Sequence, residues 1–491
     1  MGLPTYLLAA IVLTAPARAA ASPLFELCGD VQGRGGLTAR LNADGPAAAY
    51  FNPALLVDAP QGFALGLFFL ADTIAIDVDG RLQSPLCQDG ACDVPSVAGR
   101  GPESFRHEDG EPIGDPTMPT GWLQDGTPDL AARPRQGAGS GTHRRAYQTL
   151  GLITSPIEDR VALGLYAMIP LGEFTTTKAF YNDEREQYFS NSLHPELYSD
   201  RLTATSLAFG GGVRVHRTVS LGLALTLSLA NQAQAPVYVS NLNDLDTLLL
   251  DSDITVNAAV APHVGVQWNP HQRVRAVATV HTKQAFEVET GFDYVLATGQ
   301  EQSASVRFVH SYMPLTVSAG GSYDLGETLS LSGVASWAQW SRYEDRHGET
   351  PGGEYSWSDT LSLALGARWA SGKHRAWLDT AYQPSPVPQQ TGPSNYVDGD
   401  RLGFSLGGDR TMKLWGATLR IGIDGLGHRI FDRHVDKNPE SIRDEVPDDS
   451  IDVLGQPVPN RGGLQTNNPG FPGFSVEGWI FGAELHVGIE Y

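Results

Sequence analysis

The chain has few positive charges for its length. Its 34 Lys and Arg residues are outnumbered by 55 Asp and Glu residues, which gives a formal net charge of -21 at pH 7. Such a chain is a poor partner for nucleic acid, because a phosphate backbone must be met by clustered Lys and Arg. Charged residues make up only 18% of the sequence, against about 25% in typical soluble domains. We therefore expect no binding of nucleic acid and a surface unlike that of an ordinary soluble domain.

Long hydrophobic runs are also missing. No internal apolar run approaches the roughly 20 residues that a membrane-spanning helix needs. A membrane is not excluded by this, because the strands of a spanning barrel alternate lipid-facing and lumen-facing residues. The average hydropathy of such a barrel resembles that of a soluble protein.

The motifs of common enzymes are absent. The 13 histidines form no HExxH motif, and the chain has no GxSxG motif or Walker-type loop. His486 shares the polar face of the last predicted strand with Glu484 and Glu490, where scattered lumen polarity is expected; a catalytic Ser–His pair is the alternative. The acidic residues 444–452 are predicted to form a solvated loop, with calcium binding as the alternative. We predict no enzymatic activity, no cofactor and no metal site.

The three cysteines and the start of the chain fit an exported protein. A short apolar run over residues 6–15 precedes Ala17-Arg18-Ala19, which is typical of a signal peptide, so residues 1–19 are predicted to be cleaved near Ala19 or Ala21. Cys87 and Cys92, within CQDGAC, are predicted to form a small disulfide loop. Cys28 is left over; a structural or free thiol is favoured over a lipoprotein anchor, because Phe25-Glu26-Leu27 is a poor lipobox.

The last residues, 474–491, show a strict period of two. One face is apolar with aromatic residues near its ends, and the other face is polar or tiny apart from Ile480. The apolar face consists of Trp479, Phe481, Ala483, Leu485, Val487, Ile489 and Tyr491. This pattern is typical of a lipid-facing barrel strand with aromatic girdles. The terminal Tyr491 also resembles the signal that the barrel-assembly machinery reads.

The same alternation recurs along the chain from residue 61 onward. About fourteen strands are predicted, joined alternately by short periplasmic turns and by long extracellular connections such as residues 78–144 and 431–472. They include strands over residues 254–268, 274–294, 302–323 and 374–383, and one of the turns is expected near Asp409-Arg410. We therefore predict an all-β fold, a transmembrane antiparallel β-barrel over residues 61–491, embedded in outer-membrane lipid as a monomer. Secreted β-sandwich domains are the alternative, but these would have shorter strands and connections of similar length.

A small-residue segment, residues 20–60, precedes the barrel. It contains Gly33, Gly35 and Gly36, which point to unusual backbone angles or close approach, and it ends in Asn52-Pro53-Ala54. A barrel of about fourteen strands has a lumen too wide for its own side chains to fill. A segment of this size is suited to plug it.

This arrangement resembles the FadL family of outer-membrane transporters. The resemblance rests on Asn52-Pro53-Ala54, which matches the NPA motif that ends the family's plug (the hatch), on the glycine cluster before it, and on Ile169-Pro170-Leu171-Gly172. Relatives carry a Pro-aromatic-Gly run at the last site, whereas this chain has Leu171 in place of the aromatic residue.

The resemblance implies passive outer-membrane uptake of hydrophobic small molecules such as long-chain fatty acids or aromatic hydrocarbons. A kink at Pro170 and Gly172 would open the wall sideways, with a simple bulge as the alternative and Pro314 as a competing position. The sequence names no ligand-contacting residue. The competing function is a general porin or structural barrel for polar solutes.

Overall fold

The computed structural model describes residues 23–79, 141–171, 177–178, 193, 195, 197–202, 204–229, 233–234, 250–256, 259–295, 301–345, 348–414, 416–442, 455, 468 and 470–491. The predicted signal peptide, the Cys87–Cys92 loop, Gly172 and the acidic residues 444–452 lie outside this set. The statements below concern the described residues.

Fourteen antiparallel strands close into a barrel. In chain order they are β1 (Gly62–Val78), β2 (Gly141–Ile157), β3 (Val161–Leu171), β5 (Thr205–His216), β6 (Val219–Leu229), β9 (Ala259–His271), β10 (Val274–His281), β13 (Thr316–Asp324), β14 (Leu329–Ala338), β15 (Thr360–Ser371), β16 (His374–Gln383), β17 (Arg401–Leu414), β18 (Ala417–Asp436) and β19 (Gly473–Glu490). Each strand pairs with its neighbours in the barrel, and β1 pairs with β19 to close the wall. The predicted fold class is confirmed.

The period of two decides which side of the wall each residue occupies. On β6, Leu221, Leu223 and Leu225 are 38–47% exposed on the outer face, whereas Ser220 and Thr226 are buried. On β19, Glu484, His486 and Ile480 point inward and are buried. The outward ring of Trp479 stacks on that of Phe481, with 5.4 Å between centroids. Apolar side chains therefore face lipid and polar ones face the lumen, as the alternation predicts.

Three predicted strands are each divided in two. The predicted strands 254–268, 274–294 and 302–323 become a barrel strand plus a separate piece, and the pieces β8 (Leu250–Val256), β11 (Gln284–Val295) and β12 (Glu301–Met313) form their own three-stranded sheet. One division falls at Pro314, which cannot donate to a ladder. The short strands β4 (Thr177–Lys178) and β7 (Ala233–Gln234) pair in parallel.

The hairpin between β17 and β18 lies later in the chain than predicted. The turn expected near Asp409 and Arg410 is wrong, because β17 continues to Leu414 and pairs with β18 throughout. The long loop expected from Phe431 begins instead after Asp436, the last residue of β18. Both positions lie in strands with alternating apolar residues, so hydropathy alone does not mark where the chain turns.

Short helices make up the N-terminal segment before β1. They span Pro23–Cys28, Ala39–Asn42 and Ala48–Phe51, and a 3-10 helix spans Pro53–Asp58. Further 3-10 helices lie at Ser199–Leu202, Trp340–Arg342, Gly353–Tyr355 and Pro439–Ser441. None of the helices in the described ranges is long and apolar enough to cross a membrane.

Candidate functional site

Residues 23–60, called the hatch below, pack against the inner face of the barrel. Five of their large apolar side chains are at most 2% exposed, namely Leu24, Phe25, Leu41, Phe51 and Leu56. The ring of Phe25 stacks on that of Tyr166 of β3, with 5.0 Å between centroids. The hatch therefore occupies the lumen, where side chains of a wall this wide cannot meet.

Asn52 organises the end of the hatch. Its Oδ1 accepts a hydrogen bond from the backbone N–H of Ala54 at 3.2 Å, which caps the 3-10 helix that Pro53 begins. Its Nδ2 donates to the backbone carbonyl of Arg40 at 3.0 Å. The sequence also allows this amide to bond to unpaired wall backbone near Pro170, but both of these bonds lie within the hatch. Asn52 instead folds the hatch onto itself.

The hatch end lies on a row of glycines in the wall, which we call the glycine track: Gly164, Gly210, Gly212, Gly222 and Gly265. Gly212 faces Gly222 across β5 and β6, and Gly222 faces Gly265 across β6 and β9. A Cβ at Gly222 would overlap the backbone nitrogen of Ala54, and one at Gly265 would overlap Asn52 Oδ1. A Cβ at Gly212 would lie 2.6 Å from the carbonyl oxygen of Pro53. The Asn52-Pro53-Ala54 backbone can approach the wall because these side chains are missing.

The predicted glycine cluster forms a tight turn around Asp30. Asp30 Oδ1 accepts from the backbone N–H of Gln32 at 3.1 Å, and Oδ2 accepts from that of Gly35 at 3.0 Å. Gly36 has a φ of +48°, and a Cβ there would overlap Asp379 Oδ2. A Cβ at Gly33 would lie 2.9 Å from Asp30 Oδ2. All three glycines thus have the close approach that the sequence predicts.

A buried ion pair on the wall holds this turn. Arg368 of β15 binds Asp379 of β16 at 2.6 Å, and neither side chain is more than 4% exposed. The same guanidinium donates to the carbonyl of Gly35 at 2.7 Å, while Asp379 accepts from the backbone N–H of Leu37 at 3.1 Å. Arg368 and Asp379 therefore satisfy each other and two backbone groups of the hatch, which offsets the cost of burying their charges.

Asp44 of the hatch joins a second charged group. It binds Arg34 at 2.9 Å and Arg375 of β16 at 2.8 Å, and Arg375 also pairs with Asp409 of β17. Burial opposes ionisation of Asp44, but Arg34, Arg375 and Arg420 together hold its pKa well below the usual range. Asp44 is thus an anion that ties the hatch to the wall.

The pKa of Asp30 is shifted in the opposite direction from that of Asp44. Burial raises the pKa of its carboxyl to about 6, and the Asp44 carboxylate acts in the same direction, while the N–H groups of Gly35 and Gln32 oppose the shift. Asp30 therefore changes its charge in a pH range that a bacterium meets, at the centre of the turn that docks on Arg368 and Asp379.

A cavity of about 120 Å³ lies between the hatch and the wall formed by β13–β17. Most of its lining residues are apolar, including Leu27, Phe51, Met313, Val334 and Ala381, while polar atoms form nearly half of its surface. Two cations border it. Arg40 is paired with Glu26 at 2.8 Å, and Arg401 lies with its guanidinium carbon 5.0 Å from the ring centroid of Tyr198.

Pro170 ends a ladder rather than bulging. β3 pairs with β2 up to Leu171 and with β5 only up to Met168. The register shift between β2 and β3 lies between Thr154 and Ile157, so the alternative of a bulge at Pro170 is wrong. The described wall thus loses its β3–β5 pairing just before Pro170. Pro314, the competing position, lines the cavity and separates β12 from β13.

The remaining candidates have other roles. Cys28 is a free thiol, 1% exposed, in the helix Pro23–Cys28. Its burial in the packed lumen is incompatible with a lipid anchor, and it raises the thiol pKa well above the ordinary value, with the Glu484 carboxylate adding to the shift. His486 faces the lumen as predicted, with its Nδ1 3.0 Å from Asp424 Oδ2.

Sequence reasoning missed the wall partners of the hatch, namely Arg368, Asp379, Arg375 and Asp409. Each lies on an inward-facing strand position, where isolated polar residues are common. Their only signal in the sequence is the alternation that they share with other lumen residues. The glycine track has a visible signal, since glycines recur at the inward positions of successive strands.

Known proteins show the same architecture. The family described as "Outer membrane protein transport protein (OMPP1/FadL/TodX)" matches residues 10–424. The chain is similar to a solved Pseudomonas aeruginosa FadL homologue, with 16% identity, 97% of this chain and 99% of that chain covered, and a TM-score of 0.51.

Further similar structures are the P. putida toluene transporter TodX and the Ralstonia pickettii toluene transporter TbuX. TodX is 10% identical, with 94% of this chain and 99% of that chain covered and a TM-score of 0.44. TbuX is 10% identical, with 96% and 99% covered and a TM-score of 0.42. No curated protein sequence matches the chain. Because the family match spans most of its length, the chain belongs to the OMPP1/FadL/TodX family of outer-membrane transport proteins.

Proposed function

We propose that the protein carries hydrophobic small molecules, such as long-chain fatty acids or aromatic hydrocarbons, passively into the cell across the outer membrane. The observation that supports this most directly is the cavity between the hatch and β13–β17, most of whose lining residues are apolar. Each CH2 group that leaves water for such a cavity contributes about 0.8 kcal/mol to binding. A hydrophobic ligand can thus bind there with few polar contacts.

The two cations at the cavity favour a ligand with one anionic end. Arg40 already pairs with Glu26, so Arg401, above the ring of Tyr198, is the residue we assign to a ligand carboxylate. A fatty acid would use both the apolar lining and Arg401. An aromatic hydrocarbon would use the lining alone.

The hatch must move for a ligand to pass. Its docking combines buried apolar side chains and glycine contacts with the Arg375–Asp44 ion pair and with hydrogen bonds to the Arg368–Asp379 pair of the wall. In this proposal, Asn52-Pro53-Ala54 and the cluster of Gly33, Gly35 and Gly36 are the two places where the hatch is released. The absence of nucleotide-binding motifs in the sequence fits movement down a gradient.

The exit route in this proposal is sideways, through the wall beyond Met168. There β3 continues to Leu171 without a β5 partner, so an apolar ligand could enter lipid without crossing the periplasm. Pro170 and Gly172 are the residues we assign to this opening. The family match does not support the porin alternative. A porin for polar solutes would also not need a hatch docked in its lumen.

Orientation and assembly complete the proposal. We place the long connections, residues 78–144 and 437–472, outside the cell and the Glu158–Arg160 turn in the periplasm, as is usual for barrels with long and short connections. Tyr491 is assigned to recognition by the barrel-assembly machinery. The protein acts as a monomer.

The test is ligand binding to the purified full-length protein in detergent. Ala381 lines the cavity from β16 and is 6% exposed, so Ala381→Trp should fill the cavity and weaken binding of a fluorescent fatty acid and of toluene at least tenfold. Arg401→Gln should weaken the fatty acid alone. Ala483→Trp, on the lipid-facing side of β19, is the matched control. Unchanged binding of both ligands to the Ala381→Trp protein would refute the assignment of this cavity.

A further inference from the structure

We propose that Asp79, His434 and Asp436 form a binding site for a divalent transition-metal ion of the Zn2+ class on the outer surface of the barrel. Their ligand atoms converge: His434 Nε2 lies 3.2 Å from Asp436 Oδ1 and 3.8 Å from Asp79 Oδ2. Ligand atoms around a zinc ion, each about 2.0–2.2 Å from the metal, are separated by roughly 3 to 3.5 Å. The three groups therefore need only small rotations to share one ion.

The register of β1, β19 and β18 brings Asp79, which follows β1, close to the two β18 residues. Asp436 pairs with Gly473 on β19, and Asp79, the residue after β1, donates its backbone N–H to the carbonyl of Gly473 at 2.9 Å. Gly473 thus lies between the two carboxylates. A Cβ at this position would overlap Asp79 Oδ2, so the missing side chain leaves room for the carboxylate to reach across the middle strand.

An irregularity in β18 turns two of the ligands outward. Along β18, Arg429 pairs with Trp479 of the lipid-facing side and Ile430 pairs with Gly478 of the inner side. The register then shifts between Ile430 and Arg433. Without this shift Arg433 would pair with Ser475 of the lipid-facing side, but with it His434 takes that place. A bulge re-aims side chains in this way. Without it, His434 and Asp436 would point into the lumen.

Ser475 orients the imidazole for metal binding. His434 Nδ1 lies 2.8 Å from Ser475 Oγ, so the neutral ring can donate from Nδ1 to the hydroxyl and present the Nε2 lone pair to the carboxylates. A second hydrogen bond that fixes the tautomer is the usual support of a metal-ligating histidine. In the other tautomer Nε2–H donates to Asp436 Oδ1 at 3.2 Å, and a bound cation would take the place of that proton.

Ser475, His434 and Asp436 also have the composition of a hydrolase triad. In such a triad the imidazole binds one carboxylate through one nitrogen and takes the serine proton with the other. Here two carboxylates, from Asp79 and Asp436, approach the same nitrogen. Two carboxylates beside one imidazole nitrogen suit a cation better than a triad, so the metal site is favoured.

The donor set selects the class of metal. Imidazole with carboxylates suits Zn2+ and its transition-metal neighbours, whereas Mg2+ and Ca2+ prefer oxygen ligands alone. The position suggests what the ion does. β1 and β19 are the first and last strands and form the closing seam of the barrel. One ion bound by β18 and by the residue after β1 would link these two strands across β19 and so stabilise the pairing that closes the barrel.

The test is zinc titration of chelator-treated full-length protein by calorimetry, with folding checked by the gel shift of the intact barrel on heating. The wild type should bind one more equivalent of Zn2+ than His434→Ala, or bind it at least tenfold more tightly, and Asp436→Asn should show the same loss while preserving the side-chain shape. Zn2+ should raise the melting temperature of the wild type more than that of either variant.

The matched control is His216→Ala. His216 is also exposed and pairs through Nδ1 with a hydroxyl, that of Thr218, but at the opposite end of the barrel. Its removal should leave this zinc equivalent intact. Equal zinc binding by the wild type and His434→Ala would overturn the proposal. So would a wild type that binds no more zinc than the Asp436→Asn protein does.

Discussion

At the scale of single residues, Asp30 and Asp44 show how position decides charge. Both are hatch carboxylates in buried surroundings. Asp44 has Arg34 and Arg375 within ion-pair distance, whereas Asp30 accepts from the backbone N–H groups of Gln32 and Gly35. The pKa of Asp44 is therefore lowered and that of Asp30 is raised to about 6. The sequence does not distinguish these two aspartates, and their different partners in the folded protein give them different pKa values.

Asp30 predicts a pH dependence of hatch docking. The pKa of the Asp30 carboxyl is higher in the docked hatch than in an exposed one, because docking buries the neutral acid. The free energy of docking is therefore most favourable below pH 4, where Asp30 is protonated in both states, and this contribution is lost as pH rises to about 6. The full change is on the order of 3 kcal/mol, since one pKa unit corresponds to about 1.36 kcal/mol. Hydrogen exchange of residues 23–60 should show less protection at pH 7.5 than at pH 5.

Asp30→Asn supplies the comparison for this prediction. The amide cannot ionise, so the difference in protection between pH 5 and pH 7.5 should shrink markedly. Asp44 titrates below this window and should not contribute. A pH dependence of the same size in the Asn variant would show that another group is responsible.

At the scale of elements, the hatch docks on the wall where glycines leave the strands without side chains. The 3-10 helix Pro53–Asp58 approaches β5, β6 and β9 where Gly212, Gly222 and Gly265 leave the pleated surface bare. Large side chains on these strands point outward, as Leu221 and Leu223 do. A single methyl group in the glycine track is therefore a local obstacle, and it changes nothing on the lipid side.

Gly222→Ala should displace the end of the hatch while the barrel stays folded. The added Cβ would overlap the backbone of Ala54, and backbone cannot move aside as a flexible side chain can; such overpacking costs about 1–3 kcal/mol. Spin labels placed on the hatch should report increased mobility. Gly488→Ala, also inward-facing but with its nearest contact at 3.8 Å, should behave like the wild type. Equal mobility in both variants would argue against the track as a docking surface.

At the scale of the whole molecule, the barrel forms the lumen and the hatch fills it. Fourteen strands supply a lumen that their side chains alone would leave open, and residues 23–60 occupy it. Deleting residues 22–60 should therefore convert a closed barrel into a pore with a large, steady conductance in planar bilayers. Identical conductance of the deleted and intact proteins would mean that the hatch is not a plug.

The sequence by itself determined the barrel. The period of two is a local property of each strand, so the inward position of Glu484 and His486 and the outward position of Trp479 could be predicted without knowing any neighbour. The closing β19 and the strand β16, His374–Gln383, were predicted almost residue for residue. Strand ends were less certain, because β17 passes through Asp409 and Arg410 without a break in its alternation.

Only the tertiary structure decided which residues meet. Arg368 and Gly35 are 333 positions apart in the chain, and Asp79 and His434 lie on the first strand's end and on β18. Their contacts depend on the register of paired strands and on the shift between Ile430 and Arg433. A shift of one residue reverses every side chain beyond it, so no local pattern could have predicted the ion pairs of the hatch or the convergence of Asp79, His434 and Asp436.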